Sequence, residues 1–211
     1  MSIYICYTSF EDQLPHDRFT ALLAAVPADI SRKVRAYRRW QDAHAALLGK
    51  HLLIKAMSHF NQPAPLDALQ YSATGRPYLD GALDFNISHA GNLVVCAVST
   101  DDRIGIDLEE LKPIEFSDFN GLFTVKEWED IHAAADPLAQ FYHYWTIKEA
   151  VVKADGVGIS ELNTLTVINH DTAQLLDTTW YLKKIPLAAE YVCHLATAAA
   201  APDITIEEVS L

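Results

Sequence analysis

The segment Lys50-His-Leu-Leu-Ile-Lys55-Ala56 returns 98 positions later as Lys148-Glu-Ala-Val-Val-Lys153-Ala154. The apolar run Leu93–Ser99, centred on Cys96, aligns with Glu190–Ala196, centred on Cys193, at an offset of 97. In each half a helix carrying Lys-x4-Lys-Ala is followed, roughly forty residues on, by an apolar strand around a cysteine. Nearly equal offsets and a shared order point to a duplicated unit, and duplication restricts the architecture more than any single motif. The expected fold class is α+β: two similar α+β lobes related by a pseudo-twofold axis, with the active site in the cleft between them. The N-terminal lobe is placed at 1–102 and the C-terminal lobe at 103–211. The halves differ where it matters chemically, because Glu149 in the second aligns with His51 in the first. One half can therefore supply charged ligands while the other mainly shapes the pocket.

Half of the 211 residues are apolar and 21% are charged, a balance that fits a packed core and not a disordered chain. No apolar run is long enough to span a bilayer, and the N-terminus lacks the pattern of a signal peptide. Cys6, Cys96 and Cys193 each sit within a strand-like apolar segment and match no metal spacing, so reduced core thiols in a cytoplasmic protein are expected. A net charge of −12 argues against nonspecific nucleic-acid binding. Against that background Arg32, Lys33, Arg35, Arg38 and Arg39 crowd five cations into eight positions. Such a cluster fits either a solvated helix face or a site for a polyanionic small molecule. Periodicity predicts a strand near 3–8, a long helical region near 29–60 and strands near 84–88, 93–99 and 103–109. Helices near 124–134 and 138–154 follow, then strands near 164–169, 178–184, 190–197 and 205–209.

Three constellations carry chemistry. In Arg103-Ile-Gly-Ile-Asp107-Leu-Glu109, strand alternation sends Ile104, Ile106 and Leu108 to one face and Gly105, Asp107 and Glu109 to the other, with Gly105 leaving open space beside the acids. Two carboxylates about 7 Å apart can chelate a hard cation, although the same pattern also describes an exposed strand face. In Trp145-Thr-Ile-Lys148-Glu149-Ala-Val-Val-Lys153, helical spacing puts Trp145, Glu149 and Lys153 on one side. Phe141, Tyr144, Ile147, Val151 and Val152 wrap the rest of that helix in apolar material, and charges on a buried helix require partners or a function. The third is the turn Gly75-Arg76-Pro77 with the strand Phe85-Asn86-Ile87-Ser88-His89-Ala90-Gly91. Its hydroxyl, imidazole and turn amides suit a phosphate, and no nucleophile-elbow sequence surrounds Ser88.

Taken in order, Phe-Asn-Ile-Ser-His, Gly-Ile-Asp-Leu-Glu and Trp-x-x-Lys-Glu-Ala-x-x-Lys resemble the Sfp-type 4′-phosphopantetheinyl transferase family. The resemblance extends to Gly75-Arg76-Pro77 and to Asp42-Ala43-His44 with Leu47-Leu48-Gly49, and it weakens after about residue 160. It implies a magnesium-dependent enzyme, with Mn²⁺ as an alternative, that moves the 4′-phosphopantetheine of coenzyme A to a serine of an acyl, peptidyl or aryl carrier protein and releases 3′,5′-ADP. By the same resemblance Asp107, Glu109 and Glu149 hold the metal. Glu149, directly or through a metal-bound water, takes the serine proton, and Lys153 neutralises phosphate charge. Ser88, His89 and Arg76 match positions that grip the nucleotide. Lys33, with Arg39 among the alternatives, matches the region that meets the 3′-phosphate.

Two departures stand out. Arg76 occupies the place of the family's usual lysine, and the lysine often found near position 30 is absent, where Asp29 and Ile30 stand. The segment Ile114 to Trp128, with Phe116, Phe119, Leu122 and Phe123, reads equally as a candidate carrier-docking surface or as core aromatics, and a monomer is expected. Two rivals keep the phosphate site: a coenzyme A pyrophosphohydrolase, disfavoured by the absence of a Glu-rich Nudix helix, and a non-catalytic coenzyme A-binding module, disfavoured by retention of all three acids with Lys153.

Overall fold

The computed structural model describes every residue but Ala82, and for Ile159 the backbone alone. Along the first half run β1 (Ser2–Ser9), α1 (His16–Ala24), α2 (Ala28–Arg35), α3 (Trp40–His59), β2 (Gln70–Tyr71), β3 (Pro77–Tyr78), β4 (Asp84–Ala90) and β5 (Leu93–Ser99). The second half continues with β6 (Ile104–Glu110), α4 (Val125–Ala133), α5 (Pro137–Asp155), β7 (Thr166–Asn169), β8 (Thr172–Leu175), β9 (Thr178–Lys184), β10 (Tyr191–Thr197) and β11 (Asp203–Glu208). Two main sheets form, ordered β11-β1-β5-β4 and β6-β10-β9-β8-β7.

Strand alternation explains how they stack. Tyr4, Cys6, Val94, Cys96 and Val98 point to α3 and join Leu48, Leu52 and Ala56 in one core. The opposite faces, Ile3, Ile5, Val95 and Ala97, meet Ile104, Ile106, Leu108, Cys193 and Leu195 of the second sheet. α5 then covers the outer face of β6 and β10. The layers thus run α3, first sheet, second sheet, α5. Each Lys-x4-Lys-Ala helix packs on the sheet that holds its cysteine strand, and all three cysteines are free and buried.

The lobes are not separate along the chain. β11 returns to the first sheet and pairs in parallel with β1, from Ser2 opposite Asp203 to Tyr7 opposite Glu208. The division expected at 102/103 falls between β5 and β6, but residues 203–208 lie on the N-terminal side of the molecule.

β4 and β6 are edge strands of different sheets, and side chains sew them together. Asp84 Oδ2 accepts from Ile104 N at 2.9 Å, Asn86 Oδ1 from Ile106 N at 3.0 Å and Ser88 Oγ from Leu108 N at 3.3 Å. Three polar side chains at every second residue of β4 therefore satisfy three amides at every second residue of β6. Buried amides left unpaired there would each cost about 1–3 kcal/mol.

α5 has strong local reasons to exist. Asp136 caps it by accepting from Ala139 N, Pro137 opens the first turn, and Gly156 ends it at φ 86°. It lies close to β6 because Gly105 has no side chain: a Cβ there would overlap the Ala150 carbonyl and sit 2.5 Å from Ala154 N. The open space expected beside Asp107 is thus filled by helix backbone. On the other flank Lys148, fully buried, pairs with Glu127 at 3.1 Å and donates to the Leu162 and Leu165 carbonyls. Glu127 also completes the capping box of α4 with Thr124 and accepts from Val167 N. One ion pair thus holds α4, α5 and β7 together.

The long helix expected over 29–60 is two helices, broken at 36–39. Five cations in eight positions repel along a continuous face, and the break leaves Arg38 and Arg39 in solvent. α1 escaped the periodicity reading because only Leu23 in it is buried. His51, the counterpart of Glu149, donates from Nε2 to the Leu22 carbonyl at 3.0 Å and ties α1 to α3. Burial, opposed by that hydrogen bond, lowers its pKa.

Gly105→Ala is expected to force α5 off β6, lowering the melting temperature and removing activity together; a variant as stable as the parent would contradict the close approach. Glu127→Gln and Lys148→Met should each lose about 3–5 kcal/mol in urea unfolding, because each strands a buried charge, whereas a double variant with Glu127→Leu and Lys148→Met should recover much of it. His51 has a folded pKa below its unfolded value near 6.5, so its contribution is present above that pH and is lost as pH falls. Between pH 7 and 5 the parent should lose more stability than His51→Gln, by chemical denaturation at each pH.

Candidate functional site

The seam between the sheets delivers β6's outer face to α5, and there the acids converge. Asp107 is 3% exposed, and its Oδ1 accepts from Lys153 Nζ at 2.5 Å and from Ser88 Oγ at 3.1 Å. Lys153 Nζ also donates to Ser88 Oγ at 3.3 Å. Strand β4, strand β6 and helix α5 therefore meet at three side chains. Glu109, two residues along β6, accepts from Trp145 Nε1 at 3.1 Å, so Trp145 orients a carboxylate as well as filling space.

Electrostatics mark the cluster. Burial, with Asp107's charge and a smaller effect of Glu149, pushes the Glu109 carboxyl up to about 7 against the pull of Trp145 and Lys153. Burial and Asp107 likewise raise Glu149, with Lys153 opposing. For Lys153, burial works to lower the pKa, but Asp107, Glu149 and Glu109 outweigh it and hold the ammonium above its usual value. Three acids share one lysine, an arrangement short of positive charge.

Asp107 Oδ2 is buried and has no hydrogen-bond partner among the described residues. Among the described residues no three His, Cys, Asp or Glu side chains form a preformed metal cage. That is compatible with Mg²⁺, which takes one or two carboxylates and completes its shell with waters and substrate phosphates. The donor set, all oxygen with one orphaned buried acceptor and too little positive charge, fits such an ion.

Beside the acids a cavity of about 390 Å³ is lined by Thr74, Gly75, Arg76, Pro77, Asn86, Ile87, Glu149, Val152, Lys153, Gly156 and Gly158. Hollows of about 500 and 470 Å³ lie beneath α4 and β7 and between α1, α2 and α3. Neither touches the carboxylates, so size alone does not locate the chemistry.

The sequence-derived residues divide as follows. Asp107, Glu109, Glu149, Lys153 and Ser88 come together. His89 lies next to them at the end of β4, on the α3 face and exposed. Arg76 lines the cavity, but Nε donates to the Lys153 carbonyl at 2.8 Å, and Nη2 donates to Asp84 Oδ2 at 2.7 Å and to the Ile104 carbonyl at 3.1 Å. Lys33 and Arg39 are exposed and line no part of the cavity. Lys33 Nζ sits 5.1 Å from the centre of the Tyr71 ring on β2, which brings the basic stretch to the strand preceding the Gly75 turn. Phe116, Phe119 and Phe123, expected as a docking surface, pack inward on Phe141, and Phe119 and Phe123 also meet Trp145. They stabilise the start of α5. Asp84 was missed and Asn86 was read only as part of the Ser88 strand, although the signal of their seam role, polar residues at alternate positions of an apolar strand, was present.

Comparison with known proteins bears on both halves of the chain. The model of the 4′-phosphopantetheinyl transferase superfamily matches residues 103–202, and that of the 4′-phosphopantetheinyl transferase N-terminal region matches residues 14–101. The 4′-phosphopantetheinyl transferase Sfp of Bacillus subtilis strain 168 is 31% identical over 182 residues, covering 83% of this chain and 80% of that protein. A second Bacillus subtilis 4′-phosphopantetheinyl transferase is 36% identical over 146 residues, covering 66% of this chain and 64% of that protein. The L-aminoadipate-semialdehyde dehydrogenase-phosphopantetheinyl transferase of Xenopus laevis is 30% identical over 191 residues, covering 75% of this chain and 63% of that protein. With a matched family model on each half of the chain, and the acids of β6 and α5 gathered on the second of them, the chain belongs to the Sfp-type 4′-phosphopantetheinyl transferases.

Proposed function

We propose that this protein transfers the 4′-phosphopantetheine arm of coenzyme A to a serine of a carrier protein, releasing 3′,5′-ADP, and that Asp107, Glu109 and Glu149 hold the divalent cation that the reaction uses. The observation that carries the metal assignment is the orphaned Oδ2 of buried Asp107 beside two carboxylates with raised pKa. Mg²⁺ suits the oxygen donors, with Mn²⁺ as the alternative, and when bound it would stabilise charge developing on the phosphates.

The chain's own residues supply the rest. The carrier serine oxygen attacks the β-phosphorus of coenzyme A, a new P–O bond forms, and the bridging P–O bond breaks toward 3′,5′-ADP. Glu149 accepts the serine proton, and burial makes it a stronger base than a solvated carboxylate. Lys153, held protonated by Asp107, meets the charge of the leaving nucleotide. Trp145 fixes Glu109 so that the carboxylate is oriented before substrate arrives. Ser88, beside Lys153, and His89, on the neighbouring face at the end of β4, contact the nucleotide, and exposed Lys33, beside Tyr71, or Arg39 meets its 3′-phosphate.

The duplicated Lys-x4-Lys-Ala helices support a pseudo-twofold relation between the lobes, with the coenzyme mainly on the N-terminal side and the acids on the C-terminal side. Among the described residues no helix is long and apolar enough to cross a membrane. Three free buried thiols support a cytoplasmic protein, and a cleft completed within one chain supports a monomer. Acyl, peptidyl and aryl carrier domains of fatty-acid, polyketide and nonribosomal peptide synthesis all present the required serine.

Incubation with an apo carrier, coenzyme A and Mg²⁺ should add the arm to the carrier, read by intact mass, and EDTA should stop it. Glu149→Gln should lower transfer by at least about a hundredfold while the melting temperature holds. Near-parental turnover would remove both the base and the ligand role of Glu149. Cleavage of coenzyme A without carrier modification would indicate a hydrolase, and tight nucleotide binding without reaction a binding module.

A further inference from the structure

The last turn of α5 carries Lys153, and an α-helix leaves its final carbonyls without partners inside the helix. Here they are met by groups from outside it. Val152 O accepts from Gly156 N, Lys153 O from Arg76 Nε and Asp155 O from Arg103 Nη2. One residue beyond the helix, Gly156 O accepts from Thr74 Oγ1 at 2.7 Å. Thr74 and Arg76 both belong to the turn between β2 and β3, so a loop of the N-terminal lobe grips the end of the C-terminal lobe's helix. Arg76 does more than cap. Its Nη2 also holds Asp84 Oδ2 and the Ile104 carbonyl, and Asp84 Oδ2 accepts from Ile104 N. A single guanidinium thereby ties α5, β4 and β6, the three elements that bring Lys153, Ser88 and Asp107 together.

We propose that Arg76 is a positioning residue for this reaction: it fixes the last turn of α5 against the β4–β6 seam, and so sets Lys153 on Asp107. This rests on the transferase reading. The positive end of the fork also complements the negative C-terminal end of the helix dipole. A lysine has one nitrogen where arginine has a planar fork, so it cannot serve the Lys153 carbonyl and the Asp84–Ile104 pair together. Charge alone does not reproduce the clasp.

Steady-state transfer by Arg76→Lys and Arg76→Ala, assayed below both melting temperatures, tests this. Both variants should lose kcat by at least about tenfold, since a small displacement of a reacting group is costly, while KM for coenzyme A stays within about twofold. Asp84→Asn should show the same pattern in weaker form. If Arg76→Lys keeps its kcat and Arg76→Ala raises KM, the side chain is a ligand contact and the proposal fails. If both keep kcat and KM while melting lower, the clasp is structural only and the proposal also fails. Amide hydrogen exchange at residues 154–158 needs no turnover. It should rise in Arg76→Lys even if the parent proves inactive on carriers, and unchanged exchange would overturn the clasp whatever the activity.

Discussion

Two stacked sheets are joined along one edge in this molecule, and the hydrogen bonds between Asp84, Asn86 and Ser88 and the amides of Ile104, Ile106 and Leu108 allow it. Edges of different sheets cannot continue a backbone ladder when the strands are not aligned for it, yet their amides are buried and must be paired. Short polar side chains at a period of two solve both problems. They keep β4 and β6 in register while Ile104, Ile106 and Leu108 bury their side chains between the sheets. The lowest rung is Ser88, whose hydroxyl also contacts Asp107 and Lys153. The seam and the site therefore share a residue, and disturbing one disturbs the other.

The helix opposite that seam is buried almost all round, and this has chemical consequences. Burial raises the carboxyls of Glu109 and Glu149, while the concentration of acid around Lys153 keeps the lysine charged. A solvated version of the same residues would have three fully ionised acids and little reason to recruit a cation. Gly105 permits the tight packing, the Lys148–Glu127 pair stabilises the far flank, and the aromatic cluster around Phe141 seals the start of the helix.

Much of this was legible in residue order. Alternation placed Asp107 and Glu109 on one face of β6, and helical spacing placed Trp145, Glu149 and Lys153 together. The repeat of Lys-x4-Lys-Ala identified the two helices that cover the sheets. What sequence could not supply was which group lies beside a given one in space. Gly105 looked like free room because a strand pattern does not show a helix crossing above it. Arg76 looked like a hand held out to ligand because its three acceptors come from residues 84, 104 and 153. Phe116 and Phe119 read equally as surface or core, and only the position of Phe141 decides. The break after Arg35 was visible as charge crowding but was outweighed by the apolar pattern continuing beyond it.

The return of β11 to the first sheet sets the order in which this protein can be assembled. Tyr4 and Glu207 share a hydrogen bond across 203 residues, and β1 stays an open edge until the second lobe has been made. Parallel pairing over that separation must meet a loop-closure cost first and is slow to find. Without β11 the first sheet keeps β1 as an open edge, covered on one face by α3. Closure of that sheet is then the event that commits both lobes, and with them the cleft, to one cooperative unit.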